Sequence, residues 1–127
     1  MSTKESIYKQ HEENTEWTNK LNFYGEEISI LSGRLAEITS KNSNKEMLSE
    51  VEHFQNQFII QRNNIDEIKH GIKMNEESIQ REINNNPTAA DHRKTEYHVK
   101  EKDLVATFET NFNELKNSFN RFASKWM

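Results

Sequence analysis

The amino-acid sequence predicts an all-α protein, an antiparallel three-helix bundle of long helices with coiled-coil-like packing. Three segments, about residues 3–40, 45–84 and 88–126, place apolar residues three and four positions apart, which is the spacing of one side of an α-helix. The chain of 127 residues contains only 3 Gly and 1 Pro, too few for a turn-rich β protein. The links between the segments are short, so neighbouring helices should be antiparallel. We expect one domain, residues 1–127.

The first segment carries a seven-residue repeat with two seam columns. Both columns are apolar from Leu21 onward, whereas Asn14 and Gln10 interrupt them before that point. The segment therefore predicts a helix whose second half is the better packed. The first column holds Ile7, Asn14, Leu21, Ile28 and Leu35, and the second holds Gln10, Trp17, Tyr24, Leu31 and Ile38.

The second segment begins after a short polar link, where Ser43 and Glu46 fit a capping box with Ser43 as the N-cap. It should end before Pro87, because proline disfavours helical geometry in the residue that precedes it. Its first column holds Val51, Phe58, Ile65, Ile72 and Ile79, and its second holds Met47, Phe54, Gln61, Ile68, Asn75 and Glu82.

The third segment contains the longest apolar stripe of the chain. The stripe consists of Leu104, Phe108, Phe112, Leu115, Phe119, Phe122 and Trp126. A weaker seam precedes it, made of Ala90, Lys94, Tyr97 and Glu101. Two consecutive four-residue steps meet at Phe108 and predict a stutter, which locally unwinds a supercoil.

Antiparallel packing would collect the apolar parts of all three segments, residues 21–38, 47–68 and 104–126, at one end of the bundle. The polar-interrupted parts would meet at the other end, which should be looser and open more readily. Single polar seam residues fix register in coiled coils. The alternative is that they line a wet cavity for a small polar ligand. These polar residues are Gln10, Asn14, Gln61, Asn75, Glu82 and Asn111.

Composition narrows the class of partner. A formal net charge of −4 disfavours nucleic acid, because phosphate binding needs clustered positive charge. The chain has no Cys, so it offers no disulfide or thiolate chemistry. No apolar run approaches the roughly 20 residues that span a bilayer, and the start lacks the apolar run of a signal peptide. We expect a cytoplasmic protein without a membrane partner.

The chemistry-bearing residue types do not converge on a catalytic site. Glu-x-x-His occurs at Glu50/His53 and at Glu67/His70, a spacing that di-iron bundles use, but all four residues fall outside the seam. His92, Glu96 and His98 on the third segment also fall off the predicted seam. No glycine-rich phosphate loop or nucleophile elbow is present. We therefore expect no enzyme activity, no cofactor and no metal.

Apolar residues outside the seam suggest a contact surface instead. Phe23, Ile30, Ile59 and Ile60 form the candidate partner surface, although a wider stripe buried inside the same bundle would account for them about as well. If they are exposed, the commonest use of such a surface is a two-fold dimer. The sequence thus predicts a non-enzymatic interaction or structural module that binds a protein partner or itself. The alternative is a metal- or small-ligand-binding bundle that uses the polar end, around His92, Glu96 and His98 with His11. A third possibility is a bundle completed only by a partner's helix.

Overall fold

The computed structural model describes residues 3–85 and 91–126, and the side chains of residues 8–81 and 98–126. These ranges contain three α-helices: α1, Thr3–Lys41; α2, Lys45–Asn85; and α3, Asp91–Trp126. Each helix packs against the other two, so the predicted all-α three-helix bundle is confirmed. The expected start of the third helix at residue 88 lies outside the described residues.

Side-chain contacts establish how the helices run. On α1 and α2, Arg62 Nη2 donates to Ser29 Oγ at 2.9 Å, and Asn14 Nδ2 donates to Glu76 Oε2 at 2.8 Å. Rising numbers on α1 therefore meet falling numbers on α2, as in an antiparallel pair. On α1 and α3, Lys116 Nζ donates to Glu27 Oε1 at 3.0 Å.

The same direction holds along the rest of the α1–α3 boundary. Lys20 Nζ lies 3.4 Å from Glu109 Oε1, one heptad before the Lys116–Glu27 pair on both helices. Helices α1 and α3 are therefore parallel, and α2 is antiparallel to both. This is the topology that short links between consecutive helices produce.

The predicted seam columns of α1 and α2 form the core. Every column residue whose side chain is described is buried, except the half-buried Tyr24. The side chains of Ile7 and Glu82 lie outside the described residues. Four aromatic rings close the apolar half: Phe54 contacts Phe119 at 5.4 Å and Phe122 at 5.1 Å between ring centroids, and Phe58 contacts Phe119 at 5.6 Å. Ring pairs at these distances add to the stability that burial provides.

The seam of α3 differs from the prediction at its first residue. Leu104 is 41 % exposed, whereas its neighbour Val105 is 3 % exposed and occupies the core. With Val105 in the seam, the step to Phe108 is three residues, so the heptads are uninterrupted and the predicted stutter is wrong. Asn111 is exposed and does not belong to a seam column. The α3 seam is His98, Glu101, Val105, Phe108, Phe112, Leu115, Phe119, Phe122 and Trp126.

The apolar end is closed by polar contacts at the helix termini. Asn44 Oδ1 accepts a hydrogen bond of 2.8 Å from the backbone N–H of Glu46, so Asn44 is the N-cap of α2 and the assignment to Ser43 is wrong by one residue. Trp126 Nε1 donates to Glu50 Oε2 at 2.8 Å. Asn42 Nδ2 donates to the backbone carbonyl of Trp126 at 3.2 Å. These bonds hold the end of α3 against α2 and against the link that follows α1.

Candidate functional site

A polar layer crosses the core at the other end of the bundle. Asn14 of α1, Asn75 of α2 and His98 of α3 lie near one level of the bundle, because Asn14 hydrogen-bonds to Glu76, the neighbour of Asn75, and His98 hydrogen-bonds to Glu13, the neighbour of Asn14. Their exposed fractions are 2 %, 6 % and 9 % respectively. Asparagine and histidine are seldom buried to this extent unless they are hydrogen-bonded. We call these three residues the polar layer.

Two half-buried carboxylates, Glu13 and Glu76, hydrogen-bond to residues of the polar layer. His98 Nε2 lies 3.1 Å from Glu13 Oε2, and the His98 ring stacks on Trp17 with 4.7 Å between centroids. Asn14 Nδ2 donates to Glu76, and the ring of His11 also hydrogen-bonds to Glu76.

The Glu76 carboxylate is shifted toward its charged form. Burial alone would raise the pKa of Glu76, but the hydrogen bonds from Asn14, His11 and Gln80 outweigh it, so the pKa lies below the ordinary value. Glu76 is therefore a fixed negative charge at the edge of the polar layer.

Glu101 lies one seam step from the polar layer and is 7 % exposed. Its carboxylate rests against α2 at Gly71, where an added Cβ would meet Oε1 at 2.6 Å. Burial raises the pKa of Glu101, and the nearby Lys100 only partly opposes the rise. Gly71 thus provides the space in which this carboxylate is buried.

Several buried polar atoms of this region have no hydrogen-bond partner among the described residues. They are Asn14 Oδ1, Asn75 Oδ1, Asn75 Nδ2, His98 Nδ1 and Glu101 Oε2. Each unmade hydrogen bond of a buried group costs about 1–3 kcal/mol. The concentration of such atoms in one layer and the adjoining turn makes this end the candidate ligand site of the bundle.

A groove between α1 and α2 leads to the polar layer from outside. Its volume is about 500 Å³. Asn14 and Ile72 lie where the groove meets the core, and His11, Glu76 and Lys73 lie along it. The groove provides a route by which a small solute reaches the Asn14 side chain.

The histidines predicted at the polar end are only partly placed together. His98 was expected off the seam, but it is buried in the core, because the true α3 heptad runs through residues 98, 101 and 105. His11 and His98 hydrogen-bond to different carboxylates, Glu76 and Glu13. The side chains of His92 and Glu96 lie outside the described residues.

The Glu-x-x-His pairs of α2 lie as predicted outside the seam. His53, Glu67 and His70 are exposed. Glu50 is half-buried, and its carboxylate accepts the hydrogen bond from Trp126. Among the residues that the structure describes, no group of three or more His, Asp or Glu side chains is placed to share a metal ion.

The four residues of the candidate partner surface are all exposed, from 46 % at Ile60 to 64 % at Ile30. They do not point the same way. Phe23 and Ile30 follow seam residues by two positions and lie on the side of α1 that borders α3, where Ile30 lines a recess with Lys116 of α3. Ile59 follows Phe58 by one position and lies on the α1 side of α2, and Ile60 lies on the α3 side.

Comparisons with protein-family models, with curated proteins and with solved structures found no match to this chain. The class that the fold defines is a three-helix bundle with one apolar end and one polar end. In residues 3–85 and 91–126, no helix has both the length and the apolar character needed to cross a bilayer.

Proposed function

We propose that this chain is a non-enzymatic interaction module that associates with a second copy of itself through exposed apolar residues on α1 and α2. The observation that carries the proposal is the exposure of four large apolar side chains, Phe23, Ile30, Ile59 and Ile60, outside a seam that is otherwise filled. Phe23 and Ile30 lie one heptad apart on the same side of α1, and exposed apolar groups on one side of a helix mark a contact surface in soluble proteins. A cytoplasmic location, expected from the sequence, is part of this proposal.

Charge favours a second copy as the occupant of the α1 surface. Two lysines beside Phe23 and Ile30 are already paired within the bundle, Lys20 with Glu109 and Lys116 with Glu27. These two ion pairs add no net charge beside the apolar residues, so they do not oppose the approach of a second copy. A two-fold dimer uses the same surface on both copies and closes on itself.

The test is the mass in solution, measured by size-exclusion chromatography with light scattering over a wide concentration range. The chain has a mass of 15.1 kDa, and we expect a species of twice that mass that persists on moderate dilution. A mass of one chain at every concentration would refute self-association. The surfaces would then be left for a different protein partner.

Two double variants identify the surface. Phe23→Lys with Ile30→Lys changes only the α1 surface, and Ile59→Lys with Ile60→Lys changes only α2. All four positions are exposed, so both variants should keep the helical content of the parent in circular dichroism. We expect at least one of them to be monomeric throughout. A dimer that survives both variants would refute the assignment of these residues.

A further inference from the structure

The hydrogen-bond directions at the polar layer define what the layer offers to a ligand. A carboxylate only accepts hydrogen bonds, so the proton of a neutral His98 lies on Nε2, which faces Glu13. The lone pair of the ring is then on Nδ1, a buried atom without a partner among the described residues. Asn14 likewise directs its Nδ2 to Glu76, which leaves Oδ1 as the unpaired acceptor.

Acceptors outnumber donors among these unpaired atoms. Asn14 Oδ1, Asn75 Oδ1, His98 Nδ1 and Glu101 Oε2 all present lone pairs, whereas Asn75 Nδ2 is the one unpaired donor of this group of described side chains. A set of buried lone pairs that includes a carboxylate selects a cation. One imidazole nitrogen with several oxygen donors suits a first-row divalent transition ion.

We propose that the polar end of the bundle binds a divalent transition-metal ion through His98 Nδ1, with Asn14 Oδ1, Asn75 Oδ1 and Glu101 Oε2 as the oxygen ligands. This site differs from the arrangement with His11 that the sequence suggested. Only two of its four donors are a histidine or a carboxylate.

The groups behind the proposed ligands have the arrangement that metal sites use. A metal-binding histidine typically donates its second ring N–H to a carboxylate, which fixes the tautomer and the ring orientation. Glu13 accepts this bond from His98, and the stacked Trp17 ring restricts the imidazole further. Glu76 orients the amide of Asn14 in the same way. Two ligands on two helices are therefore positioned by carboxylates that do not bind the ion themselves.

Charge at this end also favours a cation. Glu13, Glu76 and Glu101 surround the polar layer, and the Glu101 carboxylate is buried with its Oε2 unpaired among the described residues. A bound cation would stabilise the charged form of this carboxylate. The groove between α1 and α2 provides the entry path as far as Asn14.

The fluorescence of Trp17 can report whether an ion binds at the proposed site. Its ring stacks on His98 at 4.7 Å, so a paramagnetic ion on Nδ1 should quench its fluorescence. We would titrate Ni²⁺ into the full chain carrying Trp126→Phe, which leaves Trp17 as the one fluorescent tryptophan. We expect saturable quenching with one ion per chain, reversed by a chelator, and no effect of Mg²⁺.

Variants separate the proposed site from binding at surface histidines. Asn75→Leu leaves the ring stack intact and replaces a buried amide with an apolar side chain, so it should fold and bind Ni²⁺ about tenfold or more weakly. His98→Gln should abolish saturable binding. His70→Ala is the matched control, because His70 lies exposed along the same groove outside the polar layer, and its binding curve should be unchanged.

Circular dichroism of each variant establishes that it is folded before its binding is compared. Absence of saturable quenching in the parent would overturn the proposal, and the polar layer would then serve to fix helix register. Binding that is lost with His98→Gln but unchanged with Asn75→Leu would overturn the four-ligand set. None of these results depends on whether the chain is a monomer or a dimer, so the proposal is tested independently of self-association.

Discussion

Gln61 provides the most direct test of how this core is built. The helix register places it at the level of Ile28 and Phe112, inside the apolar half of the bundle. It is 6 % exposed, and its Oε1 has no hydrogen-bond partner among the described residues. A buried acceptor without a partner costs about 1–3 kcal/mol. Gln61→Leu removes that acceptor and keeps a side chain of similar size, so we expect the free energy of unfolding to rise by about that amount.

The expected shift in melting temperature follows from the size of the chain. An unfolding entropy of about 2.1 cal/mol/K per residue gives a chain of this length roughly 4 °C per kcal/mol, or a rise of about 4–11 °C. Thermal and urea unfolding followed by circular dichroism at neutral pH measure the change. Gln55→Leu is the matched control, because Gln55 is exposed on the same helix, and its effect should stay within about 0.5 kcal/mol.

A Gln61→Leu variant that is less stable than the parent would refute this reasoning. It would mean that the Gln61 amide makes a favourable interaction that outweighs its desolvation, or that Leu does not fit between Ile28 and Phe112. An unchanged stability would show that Oε1 is already satisfied. Light scattering on the same sample tests the other role of polar seam residues, since loss of a register-fixing residue changes the number of associated chains.

Three further predictions test other parts of the bundle. Gly33→Ala should stabilise the protein by about 0.5–1 kcal/mol in urea unfolding, because the added Cβ meets no atom within 4 Å. Gly71→Ala should give a smaller gain or a loss of stability, because the Glu101 carboxylate must move to make room for the Cβ. Phe54→Ala should cost about 3–5 kcal/mol, since it removes a ring from the aromatic core, and a smaller loss would show that the cluster repacks. Burial first, and nearby carboxylates second, raise the pKa of Tyr24 above its ordinary value of 10.0, so the folded bundle should lose stability as the pH rises beyond that value. Tyr24→Phe should remove this part of the alkaline loss in pH-dependent unfolding, and an unchanged loss would contradict the assignment.

The sequence was sufficient for the architecture because two of the three seams obey a simple rule. In α1 and α2, large apolar residues recur at heptad spacing over four to five repeats, and a stripe of this length can be buried only against other helices. Because the links are short, each helix must run antiparallel to the helix before it. The few polar residues in these columns did not obscure the period, because apolar residues on either side of Asn14, Gln61 and Asn75 keep the phase.

The α3 seam was misassigned because the first two core positions among its described side chains are polar. Following apolar residues alone, the pattern extends from Phe108 to Leu104, the larger side chain at a permitted spacing. The buried course runs through Val105 to Glu101 and His98. One signal in the sequence favours this course: residues 98, 105, 112, 119 and 126 keep a strict seven-residue step, whereas the predicted stripe needs a stutter. Sequence rules fail most often where a buried polar group has a role other than packing.

The part of the α3 seam that was misassigned lies at the polar end, and its buried polar residues bear on the function of that end. One polar residue in a seam is enough to fix register in a coiled coil. Here all three helices contribute a buried polar side chain at one level, and Glu101 adds an ionisable one in the next seam position of α3. Two of the three layer residues are also oriented by carboxylates, Glu13 for His98 and Glu76 for Asn14. Fixing the helix register does not require this many buried polar groups, and it does not require that carboxylates orient them. An ion that binds between the helices requires several polar groups and a defined orientation of each.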